Sequence, residues 1–180
     1  MALLAEEIVE EWLNRQGYFT IRGIKLGVHE MDLLAIRPTE DGTDRRQIEV
    51  QASVRPVSYI TRVPRALQKA TGRAPNSARV RQDSELRQGI KEWVGKKFNH
   101  PEKEALRQRL CRGSWSRELV GHVVKHPREI ELIQEEGVTV HRLAEIVAAL
   151  KAGGPLLDGA AGSSLLDLVA MTADMERAGA

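Results

Sequence analysis

Two short stretches carry acids at alternate positions. In one, Glu30 and Asp32 flank Met31; in the other, Glu49 lies between Gln47 and Gln51. Alternate side chains of a strand face the same way, so Glu30 and Asp32 share a face, as do Gln47, Glu49 and Gln51. Met31, Leu33 and Ala35, like Ile48, Val50 and Ala52, take the other faces. Residues 39–44 between them form a polar turn around Asp41-Gly42, so the strands are expected to pair. Pairing brings Asp32 and Glu49 together, with Gln51 beside them. Carboxylates within about 4–5 Å of each other raise one another's pKa unless a cation lies between them. Mg²⁺ suits that place, because it prefers carboxylate and carbonyl oxygens and keeps several waters. A backbone carbonyl near Val50 is a further ligand candidate. Such an ion polarises a phosphate and lowers the pKa of bound water. The same alternation also describes the solvated face of an ordinary hairpin, so spacing alone leaves both readings open.

The elements around these stretches read as α/β. Residues 3–16 have helical spacing, with Leu4, Ile8 and Trp12 four apart, and Gly17 ends the run. Strands are expected over 18–22, 28–37 (closed by Pro38) and 46–54. A helix over 58–73 has Pro64 near its start. Ser84 is placed to cap a helix to Phe98, and Pro101 to open one to Leu110. A buried strand over 119–124, a helix over 128–136, a short strand at 138–140 and a helix over 141–151 follow. The expected fold is a central mixed sheet of four or five strands flanked by helices, in the order αβββαβαβα. One domain covers residues 1–151, with a helical insertion at about 76–118. Residues 152–163 read as a Gly/Ala/Ser linker, and 164–180 as a helical appendage.

The chain has 180 residues, 42% hydrophobic and 29% charged, which suits one folded domain rather than disorder. The single cysteine, Cys111, excludes an internal disulfide and a thiolate zinc site. The sequence holds no apolar run of membrane-spanning length, no signal-peptide pattern and no Walker, nucleophile-elbow or dinucleotide motif. A cytoplasmic setting without membrane contact is expected. Charge is segregated. Residues 1–54 carry −4, residues 55–128 carry +12 and residues 129–180 carry −6. A basic block between acidic flanks suits a polyanion such as DNA, although solvated helices pairing with those flanks give the same pattern. Trp93 and Trp115 are candidates for base stacking or, more simply, for the core. His29, His122, His126 and His141 have no zinc-like spacing along the chain, and His100 sits beside Pro101 in a helix-start loop. His29, next to Glu30, is either a polar strand residue or an aid to proton transfer.

The helix AEEIVEEWLNRQGY, the strand HEMDLLAI and the segment IEVQ come in an order and spacing that resembles the PD-(D/E)xK nuclease superfamily. The likeness is greatest to the small YraN-like proteins and the archaeal Holliday-junction resolvases. It covers roughly residues 5–55, with a looser match to about 151. It implies a restriction endonuclease-like core and a metal-dependent DNA endonuclease using Mg²⁺ or Mn²⁺. Asp32 and Glu49 would be the metal ligands. Glu6 matches the acid of the family's first helix (Glu7 if the register slips by one), and Glu30 the Glu two before the Asp. Gln51 stands where the family usually has the lysine that orients or activates water. This E-x-Q variant leaves Gln51 to position water without a charge, or Lys69 to reach back from the next helix. Arg55, Arg62, Arg65, Lys69 and Arg73 would track the phosphate backbone. A homodimer is compatible with cutting duplex or junction DNA. The alternative is a catalytically inactive nuclease-fold protein that binds DNA or serves in assembly. A third reading is a protein-interaction module in which the C-terminal helix docks and the basic block meets an acidic partner.

Overall fold

The computed structural model describes residues 2–53 and 55–152. The expected linker and appendage, 152–163 and 164–180, lie outside the described residues apart from Ala152. The elements run α1 (Ala2–Arg15), β1 (Phe19–Leu26), β2 (His29–Thr39), β3 (Gly42–Gln51), α2 (Arg65–Thr71), α3 (Asp83–Lys97), α4 (Pro101–Leu110), β4 (Ser116–Gly121), α5 (Pro127–Glu135), β5 (Thr139–Arg142) and α6 (Leu143–Ala152). The fold is α/β: a five-stranded mixed sheet flanked by six helices. Strand order is β1-β2-β3-β4-β5. β1, β2 and β3 form an antiparallel meander, whereas β3–β4 and β4–β5 are parallel. β3 is therefore central, with an antiparallel neighbour on one side and a parallel one on the other. Among the described residues, no helix is long and apolar enough to cross a membrane.

α1 buries Ala5, Val9 and Leu13, spaced four apart as one helical face requires. It ends where Gly17 takes a φ of 83°, which lets the Tyr18 amide donate back to the Leu13 carbonyl at 3.1 Å. That face packs with α6 on Leu33, Ala35, Ile48, Val50 and Val120. A second core lies between α3, α5 and the β4–β5 part of the sheet, around Ile90, Val94, Phe98, Leu119, Leu132 and Ile133. Both faces of the sheet are thus covered, as parallel strands demand.

Several expectations need correcting. The helix expected over 58–73 is only Arg65–Thr71; residues 58–64 are irregular. Pro64 biases Val63 away from helical geometry. The amides of Ile60 and Thr61 are also taken by the Glu129 carboxylate, at 2.7 and 3.0 Å. Pro38 does not close β2 but lies in it, opposite Thr43 near the hairpin end, and β3 begins at Gly42. β4 spans 116–121, so Val123 and Val124 fall beyond it. α3 is closed by Glu85, whose carboxylate accepts the Gln82 amide at 3.0 Å, and not by Ser84.

Candidate functional site

The β2–β3 ladder stops at Leu33 opposite Ile48. One step further would set Asp32 opposite Glu49, and directly opposed residues of an antiparallel pair share a face. There the Asp32 carboxylate accepts the Val50 amide at 2.7 Å, replacing a ladder bond with a side-chain bond. Glu49 has no solvent-exposed surface. Its Oε1 accepts the Gln47 amide at 3.1 Å and lies 3.5 Å from the Lys103 ammonium; its Oε2 accepts the Lys97 ammonium at 2.5 Å. Lys103 also donates to the backbone carbonyls of Glu30, at 2.5 Å, and Lys97, at 2.9 Å. Gln47 is held in turn by the Lys97 carbonyl and by Arg107. The end of α3 and the start of α4 thus deliver two ammonium groups to the carboxylate of the central strand.

These charges act on each other. Burial, followed by the neighbouring charge of Asp32, pushes Glu49 up to about 6 despite both lysines. Burial also works against Lys97, but Glu49 and Asp32 outweigh it and hold its pKa above the usual lysine value. For Lys103, burial wins and the pKa is lowered. Glu6 is raised, by burial first and then by the charge of Asp32. Glu30 adds to the same field while staying exposed.

The expected residues divide as follows. Glu6, Asp32, Glu49 and, at the rim, Glu30 fall in one electrostatic neighbourhood. Glu7 does not join it, because it pairs with Arg22 at 3.0 Å on the exposed side of α1. Gln51 ends β3 half-buried and lines an open cleft of about 810 Å³. His29, Arg62, Arg65, Trp93, Lys96 and Lys97 line the same cleft. Arg55 and Lys69 are exposed and outside its lining, and Arg73 is tied to Glu85 at 3.2 Å. The side chain that reaches back to the acids is Lys97, not Lys69. Nothing local in the sequence marks Lys97, since Lys96-Lys97 reads as the basic last turn of a helix. Trp93 joins the cleft and the second core, edge-on to Phe98 at 5.5 Å. Trp115 donates to the Cys111 carbonyl at 3.1 Å, away from the cleft.

Among the described residues, one trio of His, Cys or carboxylate side chains brings its donor atoms within 4.8 Å of one another: His29, His100 and Glu102. Spacing along the chain does not reveal it, because His29 is far from His100 and Glu102.

No family model, curated protein or solved structure matches this chain.

Proposed function

We propose that the chain is a metal-dependent DNA endonuclease with a restriction endonuclease-like core of the PD-(D/E)xK type. The observation that carries this reading is the meeting of Asp32 and Glu49 at one end of the central strand pair, with the Lys97 ammonium on Glu49 at the wall of a basic cleft. The donors suit Mg²⁺ or Mn²⁺: two carboxylates of hard oxygen. Asp32 and Glu49 would hold the ion, with Glu6 and Glu30 adding negative potential. When bound, it supplies Lewis acidity and a coordinated water of lowered pKa.

The chain's own groups would do the rest. Lys97 keeps its proton at Nζ and offers a positive charge to the negative charge that builds on the phosphate. It fills the role that the resemblance leaves vacant at Gln51. Gln51 can orient a water by accepting and donating hydrogen bonds. Arg62, Arg65 and Lys96 would meet backbone phosphates along the cleft. The runner-up reading, an inactive DNA-binding or assembly protein, draws on one observation too: the Lys97–Glu49 ion pair occupies the carboxylate that the metal needs.

Cleavage of plasmid and branched DNA in Mg²⁺ or Mn²⁺ tests the proposal. Asp32→Asn and Glu49→Gln should each lower the rate by about 1,000-fold or more, and Lys97→Met by about 100-fold. Salt-sensitive DNA binding without metal-dependent cutting would select the runner-up. Absence of salt-sensitive binding would overturn both.

A further inference from the structure

We propose that His29, His100 and Glu102 form a second metal site, one for a transition-metal ion of the Zn²⁺ class. Their donor atoms lie within 4.8 Å of one another. Tetrahedral Zn²⁺ with bonds of about 2.1 Å needs ligands roughly 3.4 Å apart, so a modest inward turn of the side chains closes the site. Glu102 is exposed and has the rotamer freedom to make it.

The other two ligands are held in place. His29 is the first residue of β2, opposite Leu26 across the hairpin. His100 immediately precedes α4, with Pro101 fixing the first helical position and Glu102 in the first turn. The two imidazoles are in contact, centroids 3.8 Å apart and tilted by 38°. The His100 Nδ1 is buried and has no hydrogen-bond partner. A buried ring nitrogen without a partner is costly in an ordinary packing arrangement. A metal bond to that nitrogen, or to Nε2 with Nδ1 turned toward an outer partner, would relieve it.

The donor chemistry sets the metal. Two imidazoles and one carboxylate favour Zn²⁺, Co²⁺, Ni²⁺ or Cu²⁺ over Mg²⁺. Lys97 and Lys103 are engaged by Glu49, and Arg107 by Glu104, so none of them is paired with Glu102. Three protein ligands leave a fourth position for water or a ligand oxygen. His29 and His100 line the cleft that Gln51 and Lys97 also line, so that open position would serve an oxygen anion bound there.

Titration of the tag-free, full-length chain with Zn²⁺ and with Co²⁺ tests this, read by calorimetry and by the visible absorption of bound Co²⁺. The expected result is stoichiometric binding with a four-coordinate Co²⁺ spectrum. His29→Ala and His100→Ala should each weaken binding by more than about 100-fold, beyond what loss of an outer hydrogen-bonding partner costs. Glu102→Gln, at an exposed position that does not threaten folding, should weaken it by about tenfold. Asp32→Asn should bind Zn²⁺ as the parent does, so this site can stand or fall apart from the nuclease reading. Absent stoichiometric binding, or binding equal in the parent and Glu102→Gln together with either histidine variant, overturns the proposal.

Discussion

Glu49 and Glu129 are both fully buried, yet they are buried in opposite ways. Glu129 is met by neutral donors that the backbone fixes in place: the Ile60 amide at 2.7 Å, the Thr61 amide at 3.0 Å and the Thr61 hydroxyl at 2.6 Å. It pins an irregular segment, and Arg81 completes the arrangement by donating to the Thr61 carbonyl at 2.9 Å. Glu49 is met by the Gln47 side-chain amide, by the ends of two long side chains, Lys97 and the buried Lys103, and by the like charge of Asp32. The first arrangement spends its hydrogen-bonding capacity on holding a chain. The second sets a carboxylate behind a cleft, bound to Lys97, which lines that cleft.

The sharpest way to break this contrast is to remove Glu129. Glu129→Ala leaves three donors unpaired, and should destabilise the fold by about 3 kcal/mol or more, read as a lowered urea midpoint with an unchanged slope. An unchanged midpoint would remove the structural role assigned to it.

Glu49 predicts a different signature. Its pKa in the fold is about 6, above the ordinary 4.5, so the native state binds this proton better than the unfolded chain does. That contribution to stability is present below the unfolded pKa and is lost as pH rises through about 6. Glu49→Gln does not titrate. Its stability relative to the parent should therefore climb by about 2 kcal/mol from about pH 4 to about pH 7. Paired urea titrations across that range check it, and a flat difference would mean that Glu49 is as well satisfied as Glu129.

The smallest effect sharpens the pin itself. Thr61→Val removes one of the three donors to Glu129 and should cost about 1 kcal/mol by the same urea measurement. The same change should leave DNA cleavage within about twofold, since Thr61 faces Glu129 and not the acids of β2 and β3.

What the sequence made legible follows the range of the interactions involved. The alternation around Asp32 and Glu49, the glycine after α1 and the polar turn at Asp41-Gly42 are local signals, and the meander they specify is present. The helices of the second apolar layer, α3 and α5, were legible as elements, though not which of their faces is buried. The irregular path of 58–64 was not, because Glu129, which holds it, comes from α5. Lys97 and Lys103 escaped notice for the same reason: helix periodicity cannot say that the end of α3 folds back onto β3. Reading histidines by their spacing along the chain also missed the trio that pairs position 29 with positions 100 and 102.

The parallel pairing of β3 with β4 joins Gln51 to Gly121, across a crossover that contains α2, α3 and α4. Contacts so far apart in the chain close late, whereas a meander such as β1–β2–β3 can zip early. Within that meander Lys25 stands opposite Glu30, whereas the ammonium groups against Glu49 come from α3 and α4. The charge that answers Glu49 therefore comes from the same crossover that builds the parallel half of the sheet, so the two are assembled by one stretch of chain.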